Sequence, residues 1–187
     1  MTLHWCARRE GELLPHDHTA LATMLDGVYP EYPGRFTGTR SWLGARPEAR
    51  VIGGDDSGIA AHAGVVRRFI QAGSEGERVD QLVAVVGLVG VRADLAGGGH
   101  GRELMARTAA LLGELAVPFG LLLCAPRLSG FYTACGWHPR PGVSSTLAFD
   151  PWNPAVERIE VPAMVLPVRA ALADWPGGDL FWNTQQV

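Results

Sequence analysis

The chain carries only three cysteines, Cys6, Cys124 and Cys135. An odd count, with neither CxxC spacing nor a nearby histidine pair, speaks against a disulfide framework and against a zinc site, so all three are expected as reduced thiols and no metal is expected. Cys124 and Cys135 lie in apolar stretches and read as structural thiols rather than nucleophiles. No run reaches the roughly 18 consecutive apolar residues of a membrane span. The opening MTLHWCARREGELLPHD also lacks an apolar secretion core, which gives a cytoplasmic expectation with no membrane partner. Blocks of lysine or arginine are missing as well: the net charge of −3 is spread along the sequence and leaves no electrostatic footprint for nucleic acid. Internal repeats and low-complexity segments are absent.

What is present suits one globular domain over residues 1–187, 47% hydrophobic and 19% charged, large enough to bury a sizeable core. Residues 15–29, PHDHTALATMLDGVY, place Leu21, Met24, Leu25 and Val28 at helical spacing after a start signal at Asp17 or Thr19. From Pro30 to Pro47, prolines and glycines with Tyr32, Phe36 and Trp42 predict a structured loop or short second helix that could cover a site. Three strand-like runs follow: ARVIGGD near 49–55, GIAAHAGVVRRFIQA near 58–72 and VDQLVAVVGLVGVR near 79–92. Turn chemistry separates them, which predicts an antiparallel meander. A helix over 101–114 carries Leu104, Met105, Thr108, Leu111 and Leu112 along one side. FGLLLCA at 119–125 reads as a doubly buried strand, and a brief helix at about 127–135 leads to Gly136 and Trp137. Two more strands are expected at roughly 143–149 and 161–168, joined by the proline-marked connection DPWNPAVER at 150–158.

The densest signal is the glycine run in VRADLAGGGHGREL, between a strand and a helix. A helix N-terminus offers unpaired N–H groups and partial positive charge, so Ala96 to Gly101 could cradle a phosphate, glycine allowing close backbone approach. A plain flexible loop is the other reading. No Gly-Lys-Ser/Thr closes the run, which excludes a P-loop. A dinucleotide site is disfavoured too, because the preceding strand belongs to a meander and not to a parallel βαβ unit.

VRADLAGGGHGREL resembles the acyl-CoA signature of the Gcn5-related N-acetyltransferase superfamily: a strand ending Val-x-x-(Asp/Glu), then Arg/Gln-x-x-Gly-x-Gly/Ala, then a helix. Gly99 and Gly101 match the signature glycines, while Ala96 stands where Arg or Gln is usual. SGFYTACGWHP at 129–139 resembles the superfamily's FYxxxGFxP ending. The resemblance implies an α/β fold with a mixed, mostly antiparallel sheet flanked by helices and splayed between the fourth and fifth strands. It also implies acetyl-CoA as co-substrate, with pantetheine on the edge amides of Val89 and Val91. Its pyrophosphate would lie on the loop of Ala96, Gly97, Gly98, Gly99, His100 and Gly101. Tyr132 is implied as the acid that protonates the leaving thiolate.

Two groups within the superfamily are resembled. Residues 40–70, with LVAVVGLVGVRADLAGGG and LGELAVPFG, resemble the rhizobial nodulation N-acyltransferases, which put a fatty acyl group on the free amine of a chitooligosaccharide. FYTACGWHPRPGVSSTL, VPAMVLPV and ADWPGGDLFW at 173–182 resemble the aminoglycoside 2′-N-acetyltransferases. Both groups act on an amino-sugar amine. Because the second likeness reaches the tail, the expectation is acetyl transfer to an amino-sugar antibiotic, conferring resistance, with chitooligosaccharide acylation as the alternative. A non-catalytic acyl-CoA or sugar-binding domain is the reading from another class, argued from Ala96 and from Gly87, where the antibiotic enzymes carry a glutamate. Asp179, Trp182 and Glu31 are the expected acceptor contacts, by carboxylate and by stacking. Arg35 and Arg40 would suit an acceptor that carries a carboxylate, which points to kasugamycin. His62, on a central strand, is the candidate base, with an ordinary pKa near 6.5. The apolar strand 161–168 is a plausible edge for pairing in a homodimer.

Overall fold

A computed structural model describes residues 2–74, 76–140, 144–148, 155–159 and 162–182. The chain divides into two compact units, the first built from residues 1–66 and 86–111, the second from 67–85 and 112–186.

The first unit opens with strand β1 (His4–Arg9) and helix α1 (Pro15–Val28). Pro15 takes the first helical position, where its missing N–H costs nothing. The Leu14 amide donates to Asp17 Oδ2 at 2.8 Å. Asp17 therefore acts from inside the first turn, where its charge also opposes the helix dipole, and does not itself start the helix. One face of α1 buries Leu21, Ala22, Met24 and Leu25. The segment after it holds only turns, yet Phe36 is buried and joins Ala22, Met24, Leu25 and Leu88 in an apolar cluster. Strand β2 (Ala49–Asp55) pairs antiparallel with β1 and with the first part of β3 (Gly58–Ser74). Strand β4 (Glu77–Val91) ends in this unit and is followed by the glycine loop and helix α2 (His100–Glu114).

In the second unit, the remaining parts of β3 and β4 continue a path of order β6-β9-β5-β4-β3-β10-β7-β8. These strands are β5 (Phe119–Leu123), β6 (His138–Arg140), β7 (Ser144–Ala148), β8 (Ala155–Ile159), β9 (Ala163–Pro167) and β10 (Asp179–Trp182). β5 lies parallel to β4 over three residue pairs, Val83↔Phe119 to Val85↔Leu121. β10 is parallel to β7, and β5–β9, β6–β9 and β7–β8 are antiparallel. The fold is the expected mixed α/β arrangement. Gly120 lets β5 pass under Leu112 and Trp137, since a Cβ there would lie 2.7 Å from Leu112 Cδ1.

Four strands were not foreseen: β1, β6, β8 and β10. β8 occupies part of the stretch expected as a connection, of which residues 150–154 lie outside the described residues. The expected pairing edge at 161–168 is corrected: β9 has β5 on one side and β6 on the other, so its backbone is already paired. Among the described residues no helix is long and apolar enough to cross a membrane, and no three His, Cys, Asp or Glu side chains converge as a metal site. Cys6 is exposed, Cys124 buried and Cys135 intermediate, all three as free thiols.

Candidate functional site

The glycine loop uses its freedom at defined points. Arg92 leaves β4 with its guanidinium on Asp55 Oδ2 at 2.7 Å and Asp94 Oδ1 at 2.7 Å, which fixes the turn. The backbone then adopts φ +79 at Gly97 and φ +82 at Gly99, values that an L side chain resists. At Gly98 a Cβ would meet the His100 ring at 3.0 Å, so the imidazole folds back over the loop. Arg102 and Glu103 donate to Gly99 O, which anchors the first turn of α2. Among the described residues the amides of Gly97, Gly99, His100 and Gly101 have no acceptor, and they sit at the positive end of a 15-residue helix. This arrangement can bind a phosphate. Ala96 adds only a methyl.

The end of β4 is irregular. Leu88 has φ 52, an outlier for a bulky residue. Beyond it, Arg92 N–H donates to Ala60 O on β3 at 2.8 Å. Alternation along the strand then turns the N–H and C=O groups of Val89 and Val91 to the opposite edge. The Tyr29 hydroxyl, donating to Val89 O at 2.8 Å from the end of α1, agrees with that direction.

His62 lies on β3, fully buried. Its Nδ1 is 2.8 Å from Leu88 O and its Nε2 3.1 Å from Arg50 Nη1. A carbonyl only accepts and a guanidinium only donates, so Nδ1 carries the proton and Nε2 receives one from arginine. Burial, then the Arg50 cation, push the His62 pKa down to about 3. With both nitrogens engaged and no solvent contact, His62 does not take a proton from an amine, and the base role expected of it is withdrawn. Arg50 itself is fully buried; it donates to Ser41 O at 2.9 Å and forks onto Glu10 at 2.6 and 3.1 Å. Burial opposes the Glu10 charge, but Arg50 and Arg46 outweigh it and hold the carboxyl below its usual range. Arg46 also reaches His18 Nε2 at 3.2 Å, and His18 Nδ1 reaches Ser41 Oγ at 2.9 Å.

Tyr132 belongs to the second unit, on helix α3 (Ser129–Ala134). The helix closes with Trp137 N–H on Tyr132 O at 3.0 Å and Gly136 N–H on Thr133 O at 3.0 Å, with Gly136 at φ +86. This paired closure explains the spacing of FYTACGW: the glycine supplies the left-handed residue, and the aromatic after it folds back on the helix. The Tyr132 ring packs edge-on against Trp137, centroids 6.3 Å apart. Its hydroxyl has no hydrogen-bond partner among the described residues, unlike a core tyrosine tied to backbone. Burial first, then Cys124 and Cys135, push its pKa well above the ordinary value, so the hydroxyl keeps its proton.

The expected acceptor residues do not form one group. Glu31, Arg35 and Arg40 are exposed on the turns after α1, and their side chains make no hydrogen bond or ion pair among the described residues. Asp179 is exposed on β10, whereas Trp182, on the same strand, is 2% exposed and belongs to the core. Stacking of Trp182 on a sugar is therefore corrected, because both faces of the indole are covered. The first unit contains a cleft of about 450 Å³ between α1 and the β2–β3 turn, lined by Met24, Val28, Ile59, Ser57, Arg92 and Asp94. That is an ordinary size for a small-molecule site. Sequence reasoning passed over Arg50, Glu10 and Tyr29. The arginine inside the apolar run ARVI was the available signal, since a charge on a buried strand needs a partner.

Comparison with known proteins extends these observations. The profile of the family described as Nodulation protein A (NodA) matches residues 1–184. Nodulation protein A of Rhizobium tropici is 38% identical over 187 residues, covering 94% of this chain and 93% of its own. That of Bradyrhizobium elkanii is 40% identical over 192 residues, covering 95% and 88%. Among solved structures, the Escherichia coli GNAT family N-acetyltransferase YhbS, in complex with CoA, superposes with a TM-score of 0.60 at 14% identity over 98% of this chain and 92% of its own. The fold is thus the Gcn5-related one. The family match runs through the C-terminal region that suggested an aminoglycoside enzyme, and it overturns the antibiotic-resistance and kasugamycin reading. With 184 of its 187 residues inside the profile, this chain belongs to the nodulation protein A family.

Proposed function

We propose that the whole chain acts as one N-acyltransferase, moving a fatty acyl group from an acyl-CoA type thioester to the free amine of a chitooligosaccharide. The family match over residues 1–184 carries this reading. The free amides of Gly97, Gly99, His100 and Gly101 at the start of α2 support the donor half: they are the groups that would hold a pyrophosphate. The outward edge amides of Val89 and Val91 would hold the pantetheine and the thioester carbonyl. The neutral amine attacks that carbonyl carbon, forming the C–N bond, and the oxyanion is met by backbone N–H donors. Collapse of the tetrahedral intermediate breaks the C–S bond, the Tyr132 hydroxyl gives its proton to the departing sulfur, and the surplus proton on the attacking nitrogen leaves to water, which reprotonates Tyr132, so that the product amide keeps one N–H. No group on the protein is covalently modified. The chain's own part is positioning and charge stabilisation, with one proton delivered.

Free-thiol release tests this with acetyl-CoA and palmitoyl-CoA as donors, against chitotetraose bearing one free amine, fully acetylated chitotetraose, and kasugamycin as a control. Turnover with the long-chain donor and the free-amine sugar is expected, and none with the fully acetylated one. Donor binding without turnover on any acceptor would favour the non-catalytic acyl-CoA-binding domain.

A further inference from the structure

We propose that Glu10, Arg50 and His62 are positioning residues that aim and polarise the Val89 amide toward the donor's thioester carbonyl; the inference rests on the acyl-transfer reading above. Leu88 C=O and Val89 N–H belong to one trans peptide unit, so they point in opposite directions and move together. His62 Nδ1–H holds the Leu88 oxygen at 2.8 Å from the β3 side. Val89 N–H must then point away from β3, to the edge where its own carbonyl already meets Tyr29.

A residue such as Leu88 at φ 52 stays there only if its surroundings over-determine it. They do. Its side chain is locked into the cluster of Ala22, Met24, Leu25 and Phe36. Its carbonyl is taken by His62, and the ladder to β3 resumes at Arg92 N–H on Ala60 O. The donors also run in one sense: Arg50 N–H to His62 Nε2, His62 Nδ1–H to Leu88 O, and Val89 N–H outward. In such a chain each hydrogen bond strengthens the next, and the cation at its inner end makes the terminal N–H a better donor to a developing oxyanion. Glu10 keeps that cation in place by its fork at 2.6 and 3.1 Å. A buried ion pair is seldom the most stable filling for a core, and here it would serve the geometry of one amide.

The test combines kinetics with the amide signals of ¹⁵N-labelled protein. His62→Leu removes the donor to Leu88 O; His62→Asn keeps an N–H at the Nδ1 position but cannot accept from Arg50. With saturating palmitoyl-CoA, kcat of His62→Leu is expected to fall about 100-fold while the acceptor KM stays within twofold. His62→Asn is expected to recover at least tenfold of that loss. The Val89 amide proton should move upfield in His62→Leu, with the CoA response of Gly99 and His100 retained. A kcat within threefold of the native value, or an unmoved Val89 signal, overturns the proposal. Should His62→Leu fail to fold, His62→Asn against the native chain decides: kcat three- to tenfold lower with an upfield Val89 shift supports it, and no change in either overturns it. Failure of the acyl-transfer reading looks different, because no acyl-CoA would turn over and neither Val89 nor Gly99 would respond to CoA in the native chain, which overturns both.

Discussion

Acidification from pH 7 to pH 5 should weaken the folded chain by about 2 kcal/mol through His62 alone. The imidazole has no solvent contact, and burial first, then the Arg50 cation, lower its pKa from 6.5 to about 3 against the smaller pull of Leu88 O and Glu10. In the unfolded chain the ring binds a proton near pH 6.5, while in the folded chain it does so only near pH 3. Between those limits the unfolded state holds more protons, so stability is complete above pH 6.5 and declines as the pH falls. At about 1.4 kcal/mol per pH unit the whole window is worth about 5 kcal/mol, of which the span from pH 7 to pH 5 crosses about 2. His18, also lowered by burial first, acts in the same direction. Glu10, held low by its arginines despite burial, adds its loss only at more acid pH. Urea unfolding at pH 7, 6 and 5 measures the effect, with His62→Asn as a reference that lacks the titrating group. The native chain should lose about 2 kcal/mol more than the variant across that span. Parallel losses in the two chains, or a His62 ring proton titrating near pH 6.5, would refute the neutral buried imidazole.

Three further outcomes follow from the geometry. Tyr132→Phe removes only the hydroxyl and should lower kcat by about 100-fold or more in steady-state thiol release, leaving the acceptor KM within twofold; an unchanged kcat would take Tyr132 out of the reaction. Gly99→Ala puts a side chain at φ +82. That should cost about 1–2 kcal/mol in thermal unfolding and weaken CoA more than tenfold by calorimetry, and unaltered affinity would detach the loop from the donor. Gly120→Ala would set a Cβ 2.7 Å from Leu112 and 3.0 Å from Trp137. A loss of about 1–3 kcal/mol in denaturant unfolding, with unchanged KM for both substrates, is expected of such overpacking.

Sequence patterns exposed the parts whose causes are local. α1, α2 and the long strands follow from side-chain period, and the glycine loop and the end of α3 follow from left-handed positions that only glycine fills easily. β1 and β10 escaped because short strands of mixed polarity are set by their neighbours: His4–Arg9 is a strand through pairing with β2, and Asp179–Trp182 through β3 and β7. The alternation in DLFW, which buries Leu180 and Trp182, was nevertheless readable once that segment was taken as a strand. The partner of Arg50 is forty positions upstream, and the left-handed backbone falls on Leu88 between Gly87 and Gly90, where no residue type announces it. The acceptor was misjudged in the C-terminal half, where FYTACGWHP reflects how any such helix closes and carries little about which sugar is bound.

Acyl transfer to a chitooligosaccharide amine would be read from the mass of the product. Chitotetraose with one free amine, incubated with the chain and palmitoyl-CoA, should gain one palmitoyl group as an amide stable to hydroxylamine. Kasugamycin should be unchanged. An unmodified sugar alongside a chain that binds CoA, or kasugamycin that gains a palmitoyl group, would rule this reaction out.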